Sequence, residues 1–468
     1  MILLGKKRGE NLNKKILALI VAIIIIVSTI AAVELIQPAA SPNARSINIG
    51  LVAPISKSPV GTDMQRAAEL AVNEINQNGG VYVSSWHTHV NITLTPVDTI
   101  DDSPGNAVTP VTQAVTSEKV DMLIGGYGSA GTLADEVVAI NNKVPFIITG
   151  ASNRLVTTRG PQGNYGGLGA TAANSITDAD GMSYVFHYCT TTYDYTKTIV
   201  DFFATQMKPM VAANRNFNLA IFYRNDAFGQ GVDQAAKYWI QNESLPINIV
   251  AERNYDPNTV NYQTDLTVVQ AAKPDAVIVA DNPDKTPLII QQGWNDVGLK
   301  TVYMAIENNQ DPTFYSLLES SGSGNGQLLE SKMDPFMIPS YSTAVQTYSK
   351  EFYAKYGVYP GMMGADTYDA FYIAKAAIES AGTVDKASVR TAIEGTNMNQ
   401  RLVMTQNCKI QFSSGVDWHQ IKPVTFIEQL VLNSTSNKLE SQIVWSPTPI
   451  TNFTPSTFTL PAGYKSGS

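Results

Sequence analysis

Short unbroken apolar runs alternate along most of the chain with longer stretches whose apolar residues recur every three or four positions. The first pattern reads as buried parallel strands, the second as amphipathic helices. Val120–Ile124 is one such run, and the small residues Gly125–Gly131 after it form a turn. Thr132–Asn142 has helical spacing, with Leu133, Val137 and Ile140 on one face. Val144–Thr149 is the next strand and ends in Gly150, Ala151 and Ser152. A strand–loop–helix–strand–loop unit belongs to a doubly wound parallel sheet, whose ligands sit beyond the carboxyl ends of the strands.

The same alternation extends both ways. Upstream, the pattern predicts strands at Ile47–Ile55 and Val90–Ile100 and a helix over Thr62–Gln77 stopped by Gly79 and Gly80. Ser103 and Pro104 read as cap and first residue of a further helix ending near Lys119. Arg159–Gly181 is polar, without period, and reads as a surface loop before a strand at Tyr184–Tyr188. Downstream, helices at Tyr195–Met207, Gly231–Gln241, Tyr262–Ala272 and Asp284–Val297 interleave with strands at Asn218–Tyr223, Ile247–Glu252, Ala276–Ala280 and Thr301–Ile306. This is a second α/β lobe. Three helices follow, Ser342–Tyr356, Asp366–Ser380 and Lys386–Glu394, and then strands near Lys409–Phe412 and Val424–Leu432.

A chain of 468 residues, 44% hydrophobic and 15% charged, has the material for large cores and two or three domains. Its net charge of -8, with no basic patch beyond the first residues, argues against nucleic acid as a partner. Near the N-terminus, Lys6, Lys7, Arg8, Lys14 and Lys15 precede the apolar run Ile16–Val33. That run is long enough to span a bilayer, and its positive flank keeps the N-terminus cytoplasmic and everything after it outside. An uncleaved signal anchor is expected over 1–36, with cleavage near Ala39 and Ala40 as the alternative, and a linker over 37–46. No cysteine closely follows the run, which excludes a lipoprotein anchor. Sequons at Asn91, Asn242, Asn433 and Asn452 fit export, and offer weak support because chance supplies several in a chain rich in Thr and Asn.

Candidate chemistry gathers at the first unit's two turns. Ser129 and Ser152 place hydroxyls at two strand ends, beside glycines that free backbone N–H groups, and one turn opens a helix. That set suits a carboxylate or another small anion. Gly126 to Gly131 also spells G-x-G-x-x-G, but the next strand ends in Gly-Ala-Ser with no acid to hold a ribose, against a dinucleotide. A glycine turn without a ligand is the plainer alternative. His87 and His89 have no evident third ligand nearby, so no metal site is assigned. No hydrolase elbow, phosphate loop or zinc-protease motif occurs, and no cofactor or enzymatic activity is expected.

The order of elements resembles the substrate-binding proteins of branched-chain amino-acid transporters, the leucine/isoleucine/valine-binding type, over about Ile47 to Ile443. The residues that carry it are INIGLVAPIS, AAELAVNEINQNGG, VDMLIGGYGSAGTLA, VPFIITGAS, RNDAFGQG, PDAVIVA and GADTYDAF. The resemblance implies an α/β clamshell of the type I periplasmic-binding-protein kind: two doubly wound lobes, a three-crossover hinge near Tyr188, Ser331 and Met404, and a ligand between them. Lobe 1 would then comprise 47–188 and 332–404, lobe 2 would comprise 189–331 and 405–445, and 446–468 would be a tail.

It also implies a site: Ser129 and Ser152 on the ligand's carboxylate, Gly150 touching both its polar ends, Phe228 covering it, and Glu307 pairing with its ammonium. Val60 departs from the aromatic or small polar residue frequent there, and Tyr127, Asp281 and Asp366 lie at the site's edge. For Asp366 the helix dipole is the expected role. Cys189 and Cys408 fall near two crossovers, so a disulfide between them and two separate thiols both stay open. The implied function is capture of a small ligand, foremost an amino acid, on the extracellular face of the membrane for delivery to the permease of an ABC importer. The alternatives are a receptor ectodomain and an amide or urea-like ligand.

Overall fold

The computed structural model describes residues 45–162, 175–307, 312–332, 342–450 and 453–465. The expected signal anchor lies outside the described residues, within which no helix is long and apolar enough to cross a membrane.

Ile47–Ala53 is buried apart from half-buried Asn48, so it needs neighbours on both edges and cover on both faces. It pairs in parallel with Ile92–Asp98 on one side and Met122–Gly125 on the other. Phe146–Ile148 and Val185–His187 complete a five-stranded parallel sheet. One face packs on Pro59–Gln77 and Met362–Ala381 through Met64, Ala67, Phe371 and Ile378. The other packs on Pro104–Thr116 and Ser129–Asn142 through Val111, Val115 and Ile140. The late helices Thr343–Tyr356 and Lys386–Glu394 join the first of these cores through Val345, Phe352, Val389 and Ile393.

The second sheet repeats the winding. In space its parallel strands run Ile247–Tyr255, Phe217–Arg224, Ala276–Ala280, Val302–Ile306 and Leu328–Ser331. The antiparallel hairpin Phe426–Asn433 and Lys438–Trp445 brings it to seven strands. In each sheet the lobe's first strand lies between its second and third. Helical connections therefore leave on opposite faces and open a crevice at the carboxyl ends of the first and third strands. The first crevice is lined by the turn after Gly125, the second by the turns after Arg224 and Ala280.

Several expected elements differ. The strand read over Val90–Ile100 is two: Thr88–Val90 forms a hairpin with Val81–Val83, and Ile92–Asp98 enters the main sheet. His87 makes that hairpin's left-handed turn, and His89 faces Tyr82 across it, which accounts for the spacing of the two histidines. The helices read to Met207 and Val297 both end in π-type turns, over Phe203–Met207 and Gln292–Val297. The helix Pro312–Ser321 and the strand Leu328–Ser331 are additional to the expected elements, the strand being too short to show a period. Lys409–Ile410 is only a two-residue pairing with Met398–Asn399, and the true partner of Phe426–Asn433 is Lys438–Trp445. Within the expected loop Arg159–Gly181, residues 163–174 lie outside the described set.

The disulfide alternative is corrected. Both cysteines are free: Cys189 is buried, its sulfur 3.0 Å from His187 Nε2, while Cys408 is exposed on a short turn. Of the sequons, Asn91 and Asn242 are exposed. Asn433 Nδ2 is engaged with Glu440 Oε1 at 3.0 Å, and Asn452 lies outside the described residues.

Candidate functional site

A cavity of about 430 Å³ lies where the carboxyl ends of the two sheets face each other. Ser129, Gly150, Ser152, Phe228 and Glu307 all line it, three from the first lobe and two from the second. A smaller space of about 160 Å³ adjoins it, bounded by Tyr127, Asp284 and Val60.

The first-lobe wall is made by two turns. Ser129 is the first residue of the helix Ser129–Asn142, earlier than the expected start at Thr132, with Gly128 as cap. The leading N–H groups of a helix have no carbonyl within it to bond, so this end attracts negative charge. Ser129 Oγ accepts the N–H of Asn153 at 3.1 Å, which ties the two turns together. Gly150 lets them approach: a Cβ there would stand 2.9 Å from Gly126 O and 3.0 Å from Tyr127 Cα. One expectation needs correction. The Gly128 N–H is not free for a ligand, because the buried Asp102 carboxylate accepts it. Burial raises Asp102 to about 6, against the pull of that hydrogen bond.

The second-lobe wall is more charged than the sequence suggested. Arg224, at the end of its strand, sets Nε 2.6 Å from Asp226 Oδ2 and Nη1 3.3 Å from Asp281 Oδ1. Asp226 caps the helix Ala227–Asn242, its Oδ1 accepting the N–H groups of Phe228 and Gly229 at 3.1 and 3.0 Å. The Arg224–Asp226 pair thus fixes the turn that presents Phe228. Asp281 also accepts the Tyr255 hydroxyl at 2.9 Å, and burial pushes it up to about 6. Tyr127, the aromatic of the first-lobe turn, lines the same cavity, where burial and then Asp284 of the second lobe push its hydroxyl well up.

Glu307 follows Val302–Ile306 and is 5% exposed. Its φ of 49° is left-handed, an unusual backbone for a glutamate at a strand end. It does not stand alone. Lys332 Nζ lies 3.5 Å from its Oε1, and Ser152 Oγ donates to its Oε2 at 3.1 Å. Burial pushes Glu307 up, with Lys332 and the Ser152 hydroxyl opposing. Lys332 is itself fully buried and pairs with Asp366 Oδ2 at 2.5 Å. Asp366 is therefore not simply a dipole-compensating residue: it sits within Met362–Ala381, is fully buried and does not line the cavity.

Contacts that bridge the lobes include the Ser152–Glu307 hydrogen bond, Asn153 Nδ2 to Ala227 O at 2.7 Å and the Thr192 N–H to Ser152 O at 2.7 Å. Among the described residues the cavity carries carboxylates from Asp101, Asp102, Asp226, Asp281, Asp284 and Glu307 against the cations Arg224 and Lys285. Among the described residues no tryptophan lines it; Trp239 packs on Tyr193 and donates to its carbonyl at 2.8 Å. Such a wall suits a ligand with one anionic end, at the Ser129 helix, and cationic or donor groups elsewhere.

Residues 46–421 match the family described as periplasmic binding protein. A curated relative, Leu/Ile/Val-binding protein homolog 7 of Brucella abortus, is 22% identical over 414 residues, covering 84% of this chain and 94% of its own. Among solved structures, the branched-chain amino acid transporter substrate binding protein of Streptococcus pneumoniae in complex with isoleucine has a TM-score of 0.66 at 18% identity, covering 86% of this chain and all of that one (100%). An ABC transporter solute binding protein from R. palustris in complex with benzoate has a TM-score of 0.65 at 18% identity, covering 87% of this chain and 97% of that one. At these identities the likeness is one of fold.

Proposed function

The chain belongs to the periplasmic binding protein family, and we propose that it captures an α-amino acid in the cleft between its lobes. It is an extracytoplasmic solute-binding protein of the ABC-importer kind. The observation that carries the amino-acid reading is the pairing of opposed walls on one cavity. The Ser129 hydroxyl and a helix N-terminus come from the first lobe and the Glu307 carboxylate from the second, with Ser152 Oγ in contact with that carboxylate. The first set is placed for the ligand's carboxylate, Glu307 for its ammonium, Gly150 for close backbone contact and Phe228 for cover. Relatives with this fold hold isoleucine in one case and benzoate in another, so the test must separate an amino acid from a plain carboxylate.

Ligand contacting both walls favours the closed arrangement by its differential affinity for it, and no catalytic step is needed. The closed form would then dock on permease subunits, with the apolar run Ile16–Val33 holding the protein to the membrane. The test is the melting temperature of the full-length protein against the amino acids, benzoate, urea and short amides. A ligand at about 100 times its Kd stabilises by about 2.7 kcal/mol. A rise with one or a few amino acids supports the reading; a rise with benzoate or amides alone overturns it.

A further inference from the structure

The loop after Ile92–Asp98 carries two non-glycine residues in left-handed backbone, Ile100 at φ 65° and Asp102 at φ 58°. The Asp102 N–H closes it by donating to Thr99 O at 3.0 Å. The Asp102 carbonyl presses on the start of the helix Ser129–Asn142, where a Cβ on Gly131 would lie 2.2 Å from it. At that helix end Asp102 Oδ2 accepts the Gly128 N–H. Oδ1 is buried, without a hydrogen bond of normal length and angle among the described residues. Asp102 is 5% exposed and borders the same cavity as Ser129. A carboxylate of the protein therefore already occupies the helix end where the ligand's carboxylate is placed.

We propose that Asp102 couples ligand capture to a proton: a carboxylate at the Ser129 turn binds with Asp102 in its neutral form. Two carboxylates on one helix end repel each other, and protonation of one relieves the repulsion. The ligand's carboxylate is the stronger acid, so Asp102 takes the proton. It comes from solvent and bonds to Oδ1, leaving Oδ2 to accept from Gly128, and the ligand gives up none. The inference rests on the reading of the Ser129 turn as the seat of the ligand's carboxylate.

The surroundings leave Asp102 ready to titrate. Burial raises it to about 6; the Gly128 N–H, then the Thr99 hydroxyl and the Tyr127 N–H, oppose, and the neighbouring Asp101 adds to the rise. Asp101 stays charged, lowered by hydrogen bonds from Asn106 and Ser103, and Lys57 lies 3.8 Å from its Oδ2. Asp98 also stays charged, because hydrogen bonds led by the Ser56 hydroxyl outweigh its burial. The helix Pro104–Thr116 carries no titratable residue. In the helix Ser129–Asn142, Asp135 is pushed well up by burial, with Asp102 and Glu136 adding, and stays neutral. Glu136 pairs with Arg159 at 2.5 Å. The Tyr127 hydroxyl stays protonated. Across the cavity the second lobe presents Asp284, Lys285 and Glu307, with Arg224 engaged by Asp226 and Asp281. Asp102 is thus a positioning residue that acts through the helix end it shares with the ligand.

The experiment is calorimetric titration of the full-length protein at pH 5.5 and 7.5. The probes are benzoate and each common amino acid except histidine and cysteine, whose own charge changes near that range. The proteins are wild type, Asp102→Asn and Asp281→Asn. Asp102→Asn keeps an acceptor for the Gly128 N–H and carries no charge. It binds an amino acid more tightly than wild type at pH 7.5, a gain that loss of a merely structural contact would not give. The ratio of wild-type to Asp102→Asn affinity falls by about tenfold or more from pH 5.5 to 7.5. At pH 7.5 wild type takes up about one proton more than Asp102→Asn on binding, read from the dependence of the heat on the buffer. Asp281→Asn keeps the pH dependence, which separates Asp102 from the other cavity acid raised to about 6.

If an amino acid binds and that ratio is the same at both pH values, the proposal falls and the amino-acid reading stands. If benzoate alone binds and the ratio falls with pH, the amino-acid reading falls and the proposal stands. If Asp281→Asn removes the dependence and Asp102→Asn does not, Asp281 is the coupled group and the proposal falls. Should Asp102→Asn fail to fold, wild type decides: uptake of about one proton at pH 7.5 supports the proposal, and none overturns it. If nothing in the set binds at either pH, both fall.

Discussion

Glu307 shows what a single residue's surroundings change. A carboxylate at a strand end was legible in the sequence; its partnership with a lysine 25 positions on, and with Asp366 beyond, was not, because the pairing joins segments distant in the chain. The proposed role predicts that Glu307→Gln weakens amino-acid binding by about 2 kcal/mol, roughly thirtyfold, the worth of a charge-assisted hydrogen bond. Titration of the same variant checks this, and an unchanged affinity would remove Glu307 from the site. Asp102 and Asp281 carry a second prediction. Both are pushed up to about 6 by burial, above the unfolded value near 4, so the folded state binds protons more tightly. Their contribution to stability is complete below about pH 4 and is lost as the pH rises through about 6. Asp369, raised to about 6, and Glu136, raised to about 7, act in the same direction, and together the four carboxyl groups outweigh His187 and His419, whose lowering by burial to about 3 and about 4 acts the other way. The unliganded protein is therefore expected to melt lower at pH 7.5 than at pH 5.5, and Asp102→Asn to reduce that difference; a melting temperature that rises over this interval would contradict the assignment.

At the scale of elements, the strand–turn–helix unit around Ser129 depends on backbone that only glycine supplies without strain. Gly125 has φ 124°, and a Cβ there would lie 2.0 Å from Val52 O, the acceptor of the Gly126 N–H. Gly125→Ala is expected to destabilise the protein by about 3 kcal/mol or more, measured by urea unfolding, because the neighbouring strand cannot yield. Elements were legible where the apolar period ran long enough, as in Ile47–Ala53, Pro59–Gln77 and Ala276–Ala280. Leu328–Ser331 escaped notice because four residues show no period and its burial comes from neighbours on both sides. Lys438–Trp445 was obscured because Ser441 is among its buried positions, so polarity and burial do not alternate together. The Asp102 carboxylate on the Gly128 N–H was hidden for a related reason: nothing local links positions 26 residues apart.

For the whole molecule, the proposed closure of the lobes on a ligand would make affinity depend on their arrangement. Asn153 does not line the cavity, yet its Nδ2 bonds Ala227 O across the lobes at 2.7 Å, while its Oδ1 accepts the Leu155 N–H. Asn153→Ala is expected to cost the closed state about 1 kcal/mol and so weaken ligand binding about fivefold. Small-angle scattering would show a larger unliganded radius, and an unaltered radius with unaltered affinity would mean that this contact does not hold the lobes.

By itself, the sequence determined the alternation of buried strands and amphipathic helices, the two turns carrying Ser129 and Ser152, and an order of motifs specific enough to imply the family. These are local properties: period, turn chemistry and the spacing of short patterns. Tertiary structure alone decided which strands are neighbours, that five residues spread from Ser129 to Glu307 line one cavity, and that Glu307 shares a buried lysine with Asp366. The reason is physical. Register, burial and the company a charge keeps are set by segments that the fold brings together from distant parts of the chain, and one stretch of chain holds no record of the others.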